Sequence, residues 1–430
     1  MKIVIDQKTL LASLEKGAAA AVSDTAQEDS SIMSPIIKSI KITVGKEFTI
    51  ESTTNLMAVK HSIPATEGSG VDVKEEGCVL IPAKELINWV KVQGEDAMIT
   101  MCLSKLQTPE IINLLEDSGV VPDEDVEKYV IKKIGSVKLT SKKSTKTSGK
   151  WALDCYDPDQ SKSINFSEGT EKCFDIQSNE LKEGLSQVIF AAVPKDYEHI
   201  LDSVSIQIYK KNVYLATTDT KRCALYQIPK NAVESIESDT PLLITASLLE
   251  LTSKISDKDK SISFSYNPDK ERVFISQPNL KIRLATARKD DIGKFPNIKM
   301  LLEKEYSDLA KVKKSSLNSI LISAAIVNNS SALFSFDKDG AISIKAISED
   351  SKYVPLTEKS VAEKVSKDLQ VVWGVSHLID GLKIIKADDV ELSVPQNLKS
   401  VKVTGKDQEA FSYFVMAINN PKYDADIEGK

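Results

Sequence analysis

Residues 214–229 read YLATTDTKRCALYQIP: an apolar run enters a polar knot, TTDTKR, and leaves it as a second apolar run. Aliphatic and aromatic runs on either side of a short Thr-, Asp- and Lys-containing connection predict two antiparallel strands and a tight turn. An earlier stretch, FTIESTTNLMAVKHSIPA at 48–65, keeps the same order of strand, hydroxyl residues, polar turn, apolar strand and Ile-Pro. Self-similarity at a distance is the mark of a repeated structural unit.

The unit extends outward from these copies. TLLASLEKGAAAAV (9–22), NELKEGLSQVIFAAV (179–193) and SSLNSILISAAIV (315–327) carry apolar residues at helical spacing. Each is followed by a strand-like run: IIKSIKITV (36–44), LDSVSIQIY (201–209) and ALFSFD (332–337). A second helix follows in each, PAKELINWVKV (82–92), TASLLELTSKI (245–255) and VSHLIDGLKII (375–385), near residues suited to a helix start, Pro82, Thr245 and Ser376. Further alternating strands come after it, such as SISFSYN (261–267) and VELSV (390–394). The expectation is an α+β fold of three tandem two-helix domains, 1–172, 173–304 and 305–430, with helices on one face of antiparallel sheet. The first domain is longer because it holds an acidic insert, 104–135, predicted to contain a short helix. The Lys/Ser/Thr run that follows, 138–150, reads as an exposed hairpin arm, a solvated loop rather than a DNA contact.

Bulk composition narrows the function classes. The 430 residues are 41% hydrophobic and 27% charged, with net charge −6, so any nucleic-acid partner requires charge segregated by face. Five cysteines, an odd number with no CxxC spacing, predict free thiols in a reducing compartment. Asp6 interrupts the apolar start of the chain, and no run of 18 apolar residues exists, so neither a signal peptide nor a membrane span is expected and the protein reads as cytoplasmic. The three histidines, His61, His199 and His377, fall in no metal-ligand pattern, and GxxxxGK[ST], GxGxxG and GxSxG are absent. No enzyme, metal or cofactor is expected. The alternatives are a Ser-dependent acyl enzyme built on Ser13 and Lys16, with KTSG at 146–149, and a repeat scaffold that binds peptides without encircling DNA. Asp219 and Arg222 read as a turn cap and ion pair rather than a catalytic couple.

The triple repeat, the LATTDTKRCAL segment, KFPNIKMLL (294–302) and SYFVMAIN (412–419), in that order, resemble the bacterial DNA polymerase III β subunit, the β sliding clamp family, whose segments look like ATDGHRLA, RFPDY and a closing VMPM. The resemblance implies half of a ring: two chains head to tail around double-stranded DNA, helices inside and sheets outside. Lysines in and beside the candidate inner helices fit a sequence-independent phosphate lining, namely Lys16, Lys84, Lys91, Lys182, Lys195, Lys254, Lys314, Lys383 and Lys386, joined by Tyr197 and by Asn328 and Asn329. Acidic residues concentrate elsewhere, in 110–127, 234–239, 302–308 and 423–428.

By the same resemblance the turn after strand 213–218 walls a cleft for short peptides of a DNA polymerase and a clamp loader. The matching positions are Leu201, Thr218, Thr220, Lys221, Arg222 and Cys223, with Phe295, Pro296 and Leu301 and with Phe414, Met416 and Ile418. Apolar residues would seat the anchors, and Arg222 would hold polar groups, at roughly micromolar affinity, about −8 kcal/mol. Ile326 and Val327 match an apolar pair at the ring contact of a homodimer, faced by Trp151 and Leu153. Thr220-Lys221 replaces the family's Gly-His, Cys223 its Leu, and Ala417 and Ile418 its closing Pro-Met, while NPKYDADIEGK (420–430) runs past the usual end as an acidic tail able to lie over the cleft. The divergence, insert and tail suggest a phage-encoded or otherwise distant member.

Overall fold

The structure, a computed structural model, describes residues 1–27, 33–113, 130–143, 148–169, 171–193, 200–210, 212–228, 241–287, 295–348 and 356–423. Six helices of nine residues or more are present among them: α1 (Gln7–Gly17), α2 (Ala83–Lys91), α3 (Ser178–Val188), α4 (Ala246–Ile255), α5 (Lys314–Val327) and α6 (Val375–Ile384). They fall where the apolar periodicity placed them. The strands in chain order are β1 (Lys2–Asp6), β2 (Ser39–Val44), β3 (Glu47–Thr53), β4 (Met57–Pro64), β5 (Val71–Glu75), β6 (Gly77–Pro82), β7 (Met98–Asn113), β8 (Val130–Lys142), β9 (Ser148–Tyr156), β10 (Glu171–Gln177), β11 (Ser203–Tyr209), β12 (Asn212–Thr218) and β13 (Arg222–Ile228). They continue with β14 (Leu242–Thr245), β15 (Ser261–Asn267), β16 (Arg272–Gln277), β17 (Leu280–Ala285), β18 (Tyr306–Lys313), β19 (Ala332–Asp337), β20 (Ala341–Ala346), β21 (Leu356–Val361), β22 (Lys364–Val365), β23 (Leu369–Trp373), β24 (Asp389–Pro395), β25 (Ser400–Gly405) and β26 (Phe411–Met416).

Two compact units emerge, Met1–Ser178 with Leu251–Thr286, and Asn179–Glu250 with Ala287–Lys430. The first is built on a 13-stranded antiparallel sheet ordered β10-β15-β16-β17-β4-β3-β2-β6-β9-β8-β7-β1-β5. Its two runs of chain join where β17 pairs β4, Leu280 opposite His61 and Leu284 opposite Met57. Ile3, Ile5, Leu10, Leu14, Phe48 and Ile81 belong to its main buried core. The second unit has a nine-stranded sheet, β14-β11-β12-β13-β26-β25-β24-β18-β22, and a four-stranded one, β21-β20-β19-β23. Here the β13–β26 pairing joins distant segments, Cys223 opposite Phe414 and Leu225 opposite Ser412.

The repeated hydroxyl motif has a definite job. Helix α1 starts at Asp6, whose carboxylate accepts from the Thr9 N–H at 2.8 Å. It stops at Gly17, short of the predicted residue 22, because Ser52 of β3 intervenes. The Ser52 hydroxyl donates to the Gly17 carbonyl (2.7 Å) and accepts from the Ala20 N–H (3.2 Å), in a fully buried setting. The equivalent Thr217 of β12 donates its hydroxyl to the Val188 carbonyl at the end of α3, where the predicted helix gives way to a 3₁₀ turn, Ile189–Ala191. Orphan carbonyls at a helix end are thereby satisfied from the sheet beneath. Close approach is needed for this: a Cβ at Gly17 would lie 2.6 Å from the Ile50 Cβ. A residue further along, Thr54 or Asp219, closes the turn by accepting from the N–H of Met57 or Arg222, at 3.0 Å in both copies. In the third unit of sequence the polarity is reversed, since Asn328 at the end of α5 donates its amide to the Ile347 carbonyl (2.8 Å).

Two expectations fall partly outside the described residues. The flanks of the insert, 104–113 and 130–135, are strand: β7 and β8 run on past the sheet as a long hairpin, Ile112 opposite Ile131. The remainder, 114–129, lies outside the described residues. The chain's end, as far as it is described, does not cover the cleft positions around Cys223. Tyr423 is fully buried with Leu333 and Val372, its hydroxyl donating to the Ser331 carbonyl (3.1 Å) and accepting from the Ile347 N–H (3.2 Å). Residues 424–430 are outside the described set.

Removing a buried donor leaves its acceptor unsatisfied, which costs about 1–3 kcal/mol. Thr217→Val should therefore lower the urea-unfolding stability of the second unit by about 2 kcal/mol, and Ser52→Ala should do the same to the first. A loss under about 0.5 kcal/mol in both would show that the hydroxyls do not hold the helix ends.

Candidate peptide cleft and nucleic-acid face

The β12–β13 turn is fixed before any ligand arrives. Thr220 sits at φ +75, and its N–H donates to the Thr218 hydroxyl (3.1 Å), which in turn donates to the Arg222 carbonyl (2.6 Å). Asp219 accepts from the N–H groups of Lys221 and Arg222, each at 3.0 Å. The Arg222 guanidinium is committed on three sides: Nε to Asp219 (2.9 Å), Nη1 to Asp380 of α6 (2.7 Å) and Nη2 to the Phe190 carbonyl (3.2 Å). It also lies over the Phe190 ring at 5.7 Å. Arg222 is thus a staple between the turn and α6. Asp380 was not foreseen, because it lies 158 residues away in sequence.

Around the turn, Leu201, Cys223, Phe295 and Phe414 form one buried cluster with Tyr214, Leu225, Leu243 and Ile298, and Leu301 and Tyr306 pack against it. The Tyr306 and Phe414 rings lie 5.7 Å apart. Thr218 is buried at the cluster's edge, while Thr220, Lys221 and Pro296 are exposed. Exposed Met300, in the short helix Ile298–Leu302, and Met416, at 70% and 38%, add open apolar surface from the same linker and strand. The Met416 N–H is tied to the Lys221 carbonyl at 2.8 Å. Ile418 departs from the expected set, packing instead with Tyr423 and Val372. Burial pushes the Cys223 thiol up to about 12, so it packs as a neutral hydrophobe.

The expected phosphate-facing residues separate into two groups. Lys84, Lys91, Lys182 and Lys254 are exposed. Lys16 is instead ion-paired with Asp257, Lys314 donates to the Ile385 carbonyl (2.7 Å), Lys383 pairs with Asp380 (2.9 Å) and Lys386 with Glu183 (3.5 Å). In the second unit, Lys313, Lys314 and Lys383 line a groove of ≈ 490 Å³ with Ser315, Asn318, Leu382 and Asp388. Asn328 is buried and spends its amide on Ile347, Ser330 and Ser331, so it cannot serve as a phosphate contact; Asn329 is exposed. Lys195 and Tyr197 lie outside the described residues. Of the proposed self-association residues, Ile326 is 76% exposed and Val327 half-buried, and Trp151 is open but stacked on Trp89 at 6.5 Å. Leu153 belongs to the core instead.

The acyl-enzyme alternative fails on geometry, since Ser13 is 1% exposed and the Lys16 ammonium is taken by Asp257. No helix of the described residues is long and apolar enough to cross a membrane.

Asp380 carries a measurable signature. Burial pushes its carboxyl up, but hydrogen bonds from Lys383 and Arg222 outweigh that and hold it below the usual carboxylate range. A depressed carboxyl stabilises the fold above its unfolded value of about 4, and the stabilisation is lost as pH falls through the folded value. Acid titration of stability below about pH 4 should be shallower in Asp380→Asn than in the parent chain; identical acid slopes would contradict the staple.

No protein-family model matches the chain. Among curated proteins, it is similar to the "Beta sliding clamp" of Halalkalibacterium halodurans, 22% identical over 84% of this chain and 86% of that protein. It is also similar to that of Synechococcus elongatus, 23% identical over 58% of this chain and 66% of the relative's length. In fold it superposes on the DNA polymerase sliding clamp of Bacillus subtilis with a TM-score of 0.73, at 16% identity, over 98% of this chain and 99% of the other. The architecture is that of the DNA clamp.

Proposed function

We propose that this chain, a divergent relative of the bacterial β sliding clamps, is itself a processivity clamp without catalytic activity. Three domains, bounded near 172 and 304, would close with a second copy head to tail around duplex DNA in the cytoplasm. The observation that carries the reading is the likeness of nearly the whole chain to solved clamps, joined to sequence similarity with curated ones over most of its length.

Three features of the chain support it. The exposed Lys84, Lys91, Lys182 and Lys254 supply diffuse positive charge to a protein of net charge −6. Attraction to phosphates without base contacts lets a protein move along a duplex. Ile322 and Ile326, one turn apart on α5, leave an apolar strip open to solvent at 50% and 76% exposure, as expected of a surface that meets a second copy. The cluster of Leu201, Cys223, Phe295 and Phe414, with Met416 open beside it, offers apolar seats for a short peptide of a polymerase or clamp loader.

Light scattering should give a mass near twice 47.2 kDa, and Ile326→Asp should elute as a monomer with an unchanged circular-dichroism spectrum. A persistent dimer would remove α5 from the contact. Met416→Asp should abolish stimulation of the replicative polymerase on primed DNA while the dimer survives; undiminished stimulation would take the cleft out of the account.

A further inference from the structure

Strand register places one cation in the cross-sheet row that carries this candidate cleft. Reading across the nine-stranded sheet, Thr218 of β12 lies opposite Cys223 of β13, Cys223 opposite Phe414 of β26, and Phe414 opposite Lys402 of β25. Residues directly opposite share a face. The Lys402 ammonium therefore continues the row that carries Cys223 and Phe414, and it lies 5.8 Å from the centre of the Tyr306 ring, which itself packs on Phe414. The side chain is half-buried.

What sets Lys402 apart is its lack of an acid. Arg222, another cation beside the cleft that is not open to solvent, has two carboxylates, Asp219 and Asp380. Lys402 forms no ion pair with a described residue. Asp308 and Ser393 stand in the same cross-sheet row, Ser393 next to it and Asp308 one strand further, yet Asp308 makes no bridge to it. Consistently, burial lowers its pKa and no neighbouring charge contributes. A part-desolvated ammonium over an aromatic face keeps its strongest hydrogen-bonding capacity in reserve.

We propose that Lys402 is a specificity-determining residue that receives a carboxylate of the bound segment, so that the cleft selects an acidic residue beside its apolar anchors. This rests on the cleft reading above. Lys221, exposed on the turn, attracts the same charge only through solvent.

The test uses the full chain and fluorescein-labelled short peptides carrying two apolar anchors, with Asp or Asn at each remaining position, read by fluorescence polarisation. One Asp peptide should bind the parent chain about tenfold more tightly than its Asn counterpart, the scale of a charge-assisted hydrogen bond. Lys402→Met, which keeps the apolar stem, should erase that preference, and Lys402→Arg should restore it. Equal binding of every Asp and Asn pair by the parent chain would overturn the assignment to Lys402 while leaving the cleft intact. Failure of all the peptides to bind, or binding unaffected by Met416→Asp, would remove the cleft itself and this inference with it.

Discussion

A hydroxyl in a strand bonded to the last carbonyl of a helix is the contact on which each of the first two helix–sheet layers depends. Ser52 and Thr217 do the same thing at equivalent places: each buries a hydrogen bond to the end of the first helix of its repeat, at Gly17 and at Val188. A helix end buried against a sheet would otherwise leave carbonyls without partners, at a cost comparable to a lost hydrogen bond for each. Satisfying them from below allows the helix to lie directly on the strands. The next residues of the same motif then close the turn through Thr54 or Asp219, so one short sequence both ends a helix and reverses a strand.

From that arrangement follows the place of the cleft. In the second copy the turn acceptor is an Asp rather than a Thr, and its free oxygen holds Arg222, which reaches on to Asp380. The first copy has Thr54 and Met57 there and builds no ion pair from them. The rigid turn delivers Cys223 to the row shared with Phe414 and Lys402, where apolar surface meets a cation with no ion pair among the described residues. The charge economy elsewhere is the opposite: Lys16, Lys313 and Lys383 are each neutralised by an Asp of their own unit.

Much of the fold was legible because its signals are local. Apolar spacing of 3.6 residues marks all six long helices to within a few residues, and the polar knots mark the hairpins. What failed depended on partners far along the chain. The start of the insert read as holding a short helix is strand at Ile111 and Ile112, which pair with Lys132 and Ile131, while 114–129 lies outside the described residues. The helix after residue 17 stopped early because of Ser52, which no window around residue 17 contains. The site divides in the same way. Resemblance brought Leu201, Cys223, Phe295, Leu301 and Phe414 together, and the cluster holds four of them with Leu301 packed against it. Nothing in the neighbourhood of Arg222 announces Asp380, and the position of Lys402 follows only once the order β13-β26-β25 is known.

The account as a whole requires that topology, rather than tight contact, keeps the protein on DNA. Loading the chain onto a nicked circular plasmid, then cutting half of the sample once with a restriction enzyme and passing both through a sizing column at moderate salt, tests this directly. The protein should co-elute with the intact circle and be lost from the linear form. Equal retention on both, or salt-driven release from both, would contradict it.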